Sequence, residues 1–130
     1  MRILVALVVA GLVNSFAFAE DGAVKMTREE LLSFLPGTKV THVNSGGSTR
    51  IWTNSPDGTL MASSDGKKYG GAFGAPGSSS GTWKVNDEGK YCISIDWKRE
   101  AENWCSSILK AADGYYLAKV DPRRRIEFAK

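Results

Sequence analysis

The chain has 130 residues, with 17 Lys and Arg against 14 Asp and Glu, which gives a formal net charge of +3. This length is enough for one domain with one hydrophobic core. The mild positive charge argues against nucleic acid or an anionic membrane surface as the partner, because both need a denser basic patch.

Residues 1–19 have the three parts of a secretory signal peptide. Arg2 is the positive start, an apolar run follows it, and Ala17-Phe18-Ala19 is an A-x-A cleavage site. A membrane anchor is the alternative, but the apolar run is short and meets Asn14 and Ser15 with no cationic flank behind it. We therefore expect cleavage and a periplasmic or secreted protein of 111 residues and net charge +2, with no integral membrane segment.

Residues 20–26 are expected to be a flexible segment in front of a single β domain over residues 27–130. Thr27 and Glu30 have the spacing of a capping box, which opens a short helix. Pro36-Gly37 ends this helix. Its apolar side is expected to cover one end or one face of a sheet.

Residues 81–120 predict three hairpins that bury the same face of a sheet. Asp87-Glu88-Gly89 fits a three-residue hairpin loop, with Gly89 in the left-handed conformation. The register that follows pairs large apolar residues: Trp83 with Ile93, and Val85 with Tyr91. A slip of one residue would break this pattern.

Cys92 and Cys105 are expected to form a disulfide, because a small exported chain meets an oxidising compartment. Placing the two cysteines directly opposite each other puts Ile93 opposite Trp104 and extends the apolar face. The turn between these two strands falls at Lys98-Arg99 or in a longer loop there.

The third hairpin turn is predicted at Ala112-Asp113-Gly114, after which Tyr115 and Leu117 join the same face. The remaining predicted strands lie on either side of this central stretch: Thr38–Val43, Thr49–Asn54, Thr59–Ser64 and a short one with Ile126 and Phe128.

Lys67 to Ser80 is too rich in glycine and serine for a regular element, and it is expected to be a loop at the open end of a barrel. Roughly seven short strands and one short N-terminal helix predict an all-β fold with one disulfide. A small antiparallel calycin-like or lipocalin-like barrel is the first choice, and a two-layer β-sandwich is the alternative.

No motif in the chain amounts to a reaction, so we predict a protein without catalytic activity, metal or cofactor. Residues 77–81 match G-x-S-x-G, but they lie in a predicted loop, and the only histidine, His42, precedes them. His42 is interpreted as a packed or surface residue, and with two cysteines it is too little for a zinc site. Asp96, Glu100 and Glu102 are possible paired carboxylates, but a solvated turn explains them better.

Five aromatic residues share one predicted face: Trp83, Tyr91, Trp97, Trp104 and Tyr115. Packing in the core is the favoured interpretation, because inward aromatic side chains fill small barrels. The alternative is an aromatic-lined pocket for a small apolar ligand or a sugar. Arg123-Arg124-Arg125 is interpreted as a solvated terminus rather than a docking site.

The chain resembles small exported proteobacterial proteins of the domain of unknown function 995 family. The matching residues are Gly81-Thr82-Trp83, Gly89-Lys90-Tyr91-Cys92, Trp97, Trp104-Cys105, Asp113-Gly114-Tyr115-Tyr116 and the earlier Pro56-Asp57-Gly58. The resemblance covers most of the mature chain and implies a periplasmic or secreted small β domain. It brings no catalytic residues.

The leading functional prediction is a non-catalytic binding protein for an unknown small ligand in the barrel mouth or for an envelope protein. The alternative is an exported inhibitor of a protease or lysozyme, which would insert Glu20–Met26 or Lys67–Ser80 into the enzyme. An ordered, protruding N-terminal arm would favour the inhibitor. His42 beside two carboxylates would favour an enzyme.

Overall fold

The computed structural model describes residues 22–68, 71, 76–98 and 100–130, so the predicted signal peptide lies outside the described residues. This part of the chain contains ten strands and one α-helix. They are β1 (Val24–Lys25), α1 (Arg28–Phe34), β2 (Lys39–Val43), β3 (Thr49–Thr53), β4 (Thr59–Ser64), β5 (Gly77–Val85), β6 (Tyr91–Asp96), β7 (Ala101–Ser106), β8 (Ile108–Ala111), β9 (Gly114–Leu117) and β10 (Arg125–Ala129). No helix within these ranges has the length and apolar composition needed to cross a membrane.

All ten strands belong to one antiparallel sheet with the order β1-β8-β9-β10-β2-β3-β4-β5-β6-β7. Strands β7 and β8 lie at or next to opposite ends of this order, yet only Ser107 separates them along the chain. The sheet therefore curls round into a half-barrel. This confirms the all-β prediction in its barrel-like form, because the strands do not separate into two sheets.

The predicted registers of the two central hairpins are confirmed. In the β5–β6 pair, Trp83 lies opposite Ile93. In the β6–β7 pair, Cys92 lies opposite Cys105, and the two cysteines form the disulfide. The last pair of this hairpin is Asp96 with Ala101, so the connection is the longer of the two predicted loops.

The stretch expected to form one strand between the second and third turns divides at Ser107. Its first half is β7, which pairs with β6, and its second half is β8, which pairs with β9. The β8–β9 turn is shorter than predicted, because Gly114 already pairs with Ala111. The division at Ser107 makes the curled sheet possible, since the two halves pair with different neighbours.

Two predicted irregular segments contribute strands. Residues 77–80 belong to β5 and pair with β4, so the G-x-S-x-G match lies in a strand and not in a loop. In the segment expected to be flexible, Val24 pairs with Lys110 and both Ala23 and Met26 are buried. Residues 23–26 are therefore part of the sheet rather than a protruding arm.

Helix α1 covers one end of the curled sheet. Its predicted capping box is present, with the side chains of Thr27 and Glu30 each accepting from the other's backbone N–H. Leu31 on the helix and Leu35 at its C-cap are fully buried in the main core. Burying two leucines stabilises this seven-residue helix far more than its own propensity does.

A buried polar network joins the helix end to the sheet. The Tyr91 hydroxyl accepts from Trp52 Nε1 at 2.9 Å and donates to Asn54 Oδ1 at 2.6 Å. Asn54 Nδ2 in turn donates to the carbonyl of Leu35 at 3.3 Å. The network satisfies polar groups that would be costly to bury alone, and it ties the end of α1 to β3 and β6.

Candidate functional site

A groove of about 670 Å³ opens between β7 and the chain that follows β9. One wall is formed by residues 100–102 and 104–107. The other is formed by Leu117, Ala118, Arg123 and Arg124, and residues 42–45 at the end of β2 close the groove. Its volume is within the usual range for small-molecule sites, about 300–1,000 Å³. We refer to this cavity as the β7 groove.

A buried ion pair forms the floor of the β7 groove. Arg50 Nη1 donates to Glu102 Oε1, and each side chain is only about one tenth exposed. Arg50 shares the inward face of β3 with the buried Trp52, and Glu102 on β7 lies opposite the buried Ile95. The Arg50 guanidinium also lies 4.6 Å from the centroid of the Trp97 ring, a cation–π contact.

Three donors hold the Glu102 carboxylate: Arg50, Trp97 Nε1 at 2.9 Å and Trp104 Nε1 at 2.8 Å. Burial alone would raise the pKa of Glu102, but the hydrogen bonds from Trp104, Trp97 and Arg50 together lower it below its ordinary value. Glu102 is therefore ionised at neutral pH. A carboxylate held in this way fixes its neighbours and is a poor general base.

His42 lies beside the ion pair, directly opposite Arg50 in the β2–β3 register. Its ring centroid is 5.9 Å from that of Trp104. Burial lowers the pKa of His42, the charge of Glu102 raises it and that of Arg50 lowers it, with a net decrease. The imidazole is therefore neutral at pH 7.

Two buried polar atoms at this floor have no hydrogen-bond partner among the described residues: His42 Nδ1 and Arg50 Nε. An unsatisfied buried polar group typically costs about 1–3 kcal/mol. The backbone of Ala118 on the groove wall is also unfavourable, since its φ of 68° lies in the left-handed region. Several energetically unfavourable features in one place are typical of functional sites.

The rim of the β7 groove is positively charged. Lys90, Arg123 and Arg124 face it, against the carboxylate of Glu100. Arg123 and Arg124 belong to a short 3₁₀ turn, in which the Asp121 side chain accepts from the Arg123 N–H at 2.9 Å. The arginines interpreted as a solvated terminus are exposed, and two of them line this cavity.

The five predicted aromatic residues fall into different environments. Trp83 and Tyr91 are buried in the main core, and Tyr115 packs against Phe128 with a centroid distance of 5.1 Å. Trp104 alone of the five lines the β7 groove. The Trp97 ring packs on the Arg50 guanidinium, and its Nε1 donates to Glu102.

The central residues of the groove were missed in the sequence. The prediction of a solvated turn is wrong for Glu102, because β7 carries its side chain inward. The signal was present: the register that pairs Cys92 with Cys105 also places Glu102 opposite the inward Ile95. Arg50 could have been found by its alternation with Trp52 in β3.

The other predicted chemical groups are not brought together. Asp96 and Glu100 are exposed, and Glu100 reaches the groove only at its rim. Within residues 22–68, 71, 76–98 and 100–130, no group of three or more His, Cys, Asp or Glu residues is arranged to hold a metal.

We expect His42 to make the protein less stable as the pH falls through 6.5, the ordinary pKa of histidine. Its pKa lies below the ordinary value of 6.5 in the folded state, so the unfolded chain binds more protons in this range. The free energy of unfolding should then fall by up to about 1.4 kcal/mol per pH unit. Glu102 also lowers the free energy of unfolding as the pH falls, but only below about 4.5, the ordinary pKa of its carboxyl group.

Urea unfolding at a series of pH values, followed by tryptophan fluorescence, measures this dependence. The His42→Gln variant is the control, because His42 is the only histidine in the chain. The variant should lose the slope that begins near pH 6.5 and keep the slope that begins near the ordinary carboxyl pKa of 4.5. Parallel curves for the two proteins would contradict the assignment to His42.

Comparisons of the chain with protein-family models, with curated proteins and with solved structures gave no match. The resemblance to the domain of unknown function 995 family therefore stays a prediction.

Proposed function

We propose that the protein is an exported, non-catalytic binding protein whose ligand is an anionic molecule held in the β7 groove. The observation that carries this proposal is the charge of the groove. The ion pair of Arg50 and Glu102 balances itself on the floor, which leaves Lys90, Arg123 and Arg124 against Glu100 on the rim. An anion with an apolar part would meet cations at the rim and Trp104 below.

Binding rather than catalysis fits the chemistry of the groove floor. Glu102 already accepts three hydrogen bonds, and the Nδ1 atom of His42 is buried. A carboxylate that already accepts three hydrogen bonds is a poor general base, and this favours binding over acid–base catalysis at Glu102. The disulfide between Cys92 and Cys105 supports export, because such bonds persist in oxidising compartments.

The alternative function, an exported inhibitor of a protease or lysozyme, stays a prediction. No contact among the described residues favours it. Its two candidate inserting segments were Glu20–Met26 and Lys67–Ser80. Residues 23–26 lie against the sheet and residues 77–80 form part of β5. Residues 20, 21, 69, 70 and 72–75 lie outside the described part of the chain.

A titration with 8-anilinonaphthalene-1-sulfonate tests the proposal, since this probe has one sulfonate and fused aromatic rings. We expect one saturable site by calorimetry, accompanied by quenching of tryptophan fluorescence. The double variant Arg123→Gln/Arg124→Gln should weaken binding by about tenfold, because two rim cations are lost.

The matched control is Lys25→Gln/Lys39→Gln, which removes the same charge from exposed strand positions away from the groove. It should leave the affinity within about twofold of the unmodified protein. Equal losses in the two double variants, or no saturable binding at all, would refute the proposed groove.

A further inference from the structure

Strand β7 has a free backbone edge that faces the β7 groove. It is the last strand in the sheet order, so β6 is its one strand partner among the described residues. The edge becomes covered only at Ser107, whose carbonyl accepts from the Ala118 N–H at 2.9 Å. Between Ala101 and Ser106 the wall of the groove is therefore an unpaired strand edge.

The register shows which backbone groups point into this gap. Cys92 and Cys105 lie directly opposite each other with a Cα–Cα distance of 4.0 Å. This short distance marks a non-hydrogen-bonded pair, in which the N–H and C=O of each residue point away from the partner strand. Ala101, Asn103 and Cys105 therefore direct their backbone donors and acceptors outward, and all three residues are exposed.

The opposite wall of the groove favours a negatively charged occupant. Arg123 and Arg124 line this wall, Lys90 lines the groove near Ser107, and Glu100 is the acidic residue on the rim among the described residues. A second copy of this chain is a poor occupant, because the chain has a net charge of +3 and would bring a like-charged surface. An extended acidic segment of another protein would pair with the free backbone groups of β7 and bring carboxylates to the cations of the rim.

We propose that β7 binds an extended acidic peptide segment of a partner protein by strand addition. The segment lies antiparallel or parallel along Ala101–Ser106 and exchanges main-chain hydrogen bonds with the outward backbone groups. Its carboxylates meet the arginines of the 3₁₀ turn, and its inward side chains contact Trp104. This inference rests on the proposed function, since it names the class of ligand for the same groove.

The first experiment uses a pentapeptide of alternating valine and aspartate with blocked termini. We expect saturable binding to the full-length folded protein, and protection of the Ala101, Asn103 and Cys105 amides from hydrogen exchange. These three residues are exposed in the free protein and their N–H groups point away from β6, so only main-chain pairing protects them as a set. A side-chain contact alone would leave them unprotected.

Two modified peptides separate backbone pairing from charge. One is N-methylated at every valine and the other at every aspartate, which removes alternate donors without changing the charge. At least one of them should bind about tenfold more weakly, because two or three main-chain hydrogen bonds are lost. A peptide with lysine in place of aspartate should bind weakest.

Two protein variants provide a matched test at the edge itself. Asn103→Pro removes the outward N–H at this position, which an edge strand tolerates, whereas Asn103→Ala removes only the side chain. The proline variant should lose peptide binding and the alanine variant should keep it. If the proline variant does not fold, the methylated peptides still give the answer.

Each other result overturns strand addition. Equal binding of all methylated peptides would show that charge alone holds the ligand, and the proposed function would stand. Binding of the naphthalene sulfonate without binding of the peptide would restrict the groove to small anions. Failure of both probes would refute the proposed function together with this inference.

Discussion

The Glu102→Ala variant is expected to lose about 3–5 kcal/mol of unfolding free energy, the usual cost of removing one partner of a buried ion pair. Arg50 would remain with its charge about one tenth exposed and without its acceptor. Trp97 and Trp104 would lose their indole acceptor at the same time. Urea unfolding at pH 7, followed by tryptophan fluorescence, measures the change.

Glu100→Ala is the matched control, because this carboxylate lies two residues away in the chain and is exposed. Its effect should stay within about 0.5 kcal/mol. The double variant Arg50→Met/Glu102→Leu should recover most of the loss, since apolar residues of similar volume remove both buried charges. If Glu102→Ala is as stable as Glu100→Ala, the pair is solvated and the described floor of the groove is wrong.

The buried ion pair contributes more to the geometry of the β7 groove than to the stability of the fold. A buried pair often contributes less than apolar residues of the same size would. Here it fixes the indoles of Trp97 and Trp104 through hydrogen bonds and thereby orients the wall of the groove. Variants without the pair but with apolar replacements would be stable, yet Trp104 would no longer be held.

The central hairpins could be predicted because their registers depend on local pattern. A glycine at residue 89 fixes the turn, and period-2 alternation then decides which side chains face inward. The positions of Trp83 and Ile93 follow from these two rules, and the position of Cys105 follows from placing it opposite Cys92 in the expected disulfide. The same registers also contained the inward position of Glu102, which was set aside because charged residues near turns are usually solvated.

The division at Ser107 could not be predicted in this way. It depends on how far the sheet curls before β8 meets β9, and this curl is the sum of contacts along ten strands. The start of β5 at Gly77 is not evident in the sequence, because a glycine-rich and serine-rich stretch predicts a loop. At Gly81 the reason for glycine is different: a Cβ there would collide with the carbonyl oxygen of Ser94 in β6.

Tyr91→Phe is expected to lower the free energy of unfolding by about 2–4 kcal/mol, although it removes only one oxygen atom. The Tyr91 hydroxyl is the shared partner of Trp52 Nε1 and Asn54 Oδ1, and Tyr91 is fully buried. Its loss leaves a donor and an acceptor without their partner in the core. Each such group costs about 1–3 kcal/mol.

Tyr115→Phe is the control for this prediction, because the Tyr115 ring packs against Phe34 and Phe128. The two variants remove the same atom from the same residue type, and the control should stay within about 0.5 kcal/mol of the unmodified protein. A difference therefore reports the hydrogen bonds and not the ring. If Tyr91→Phe matches its control, Trp52 and Asn54 find other partners, and the network does not join α1 to the sheet.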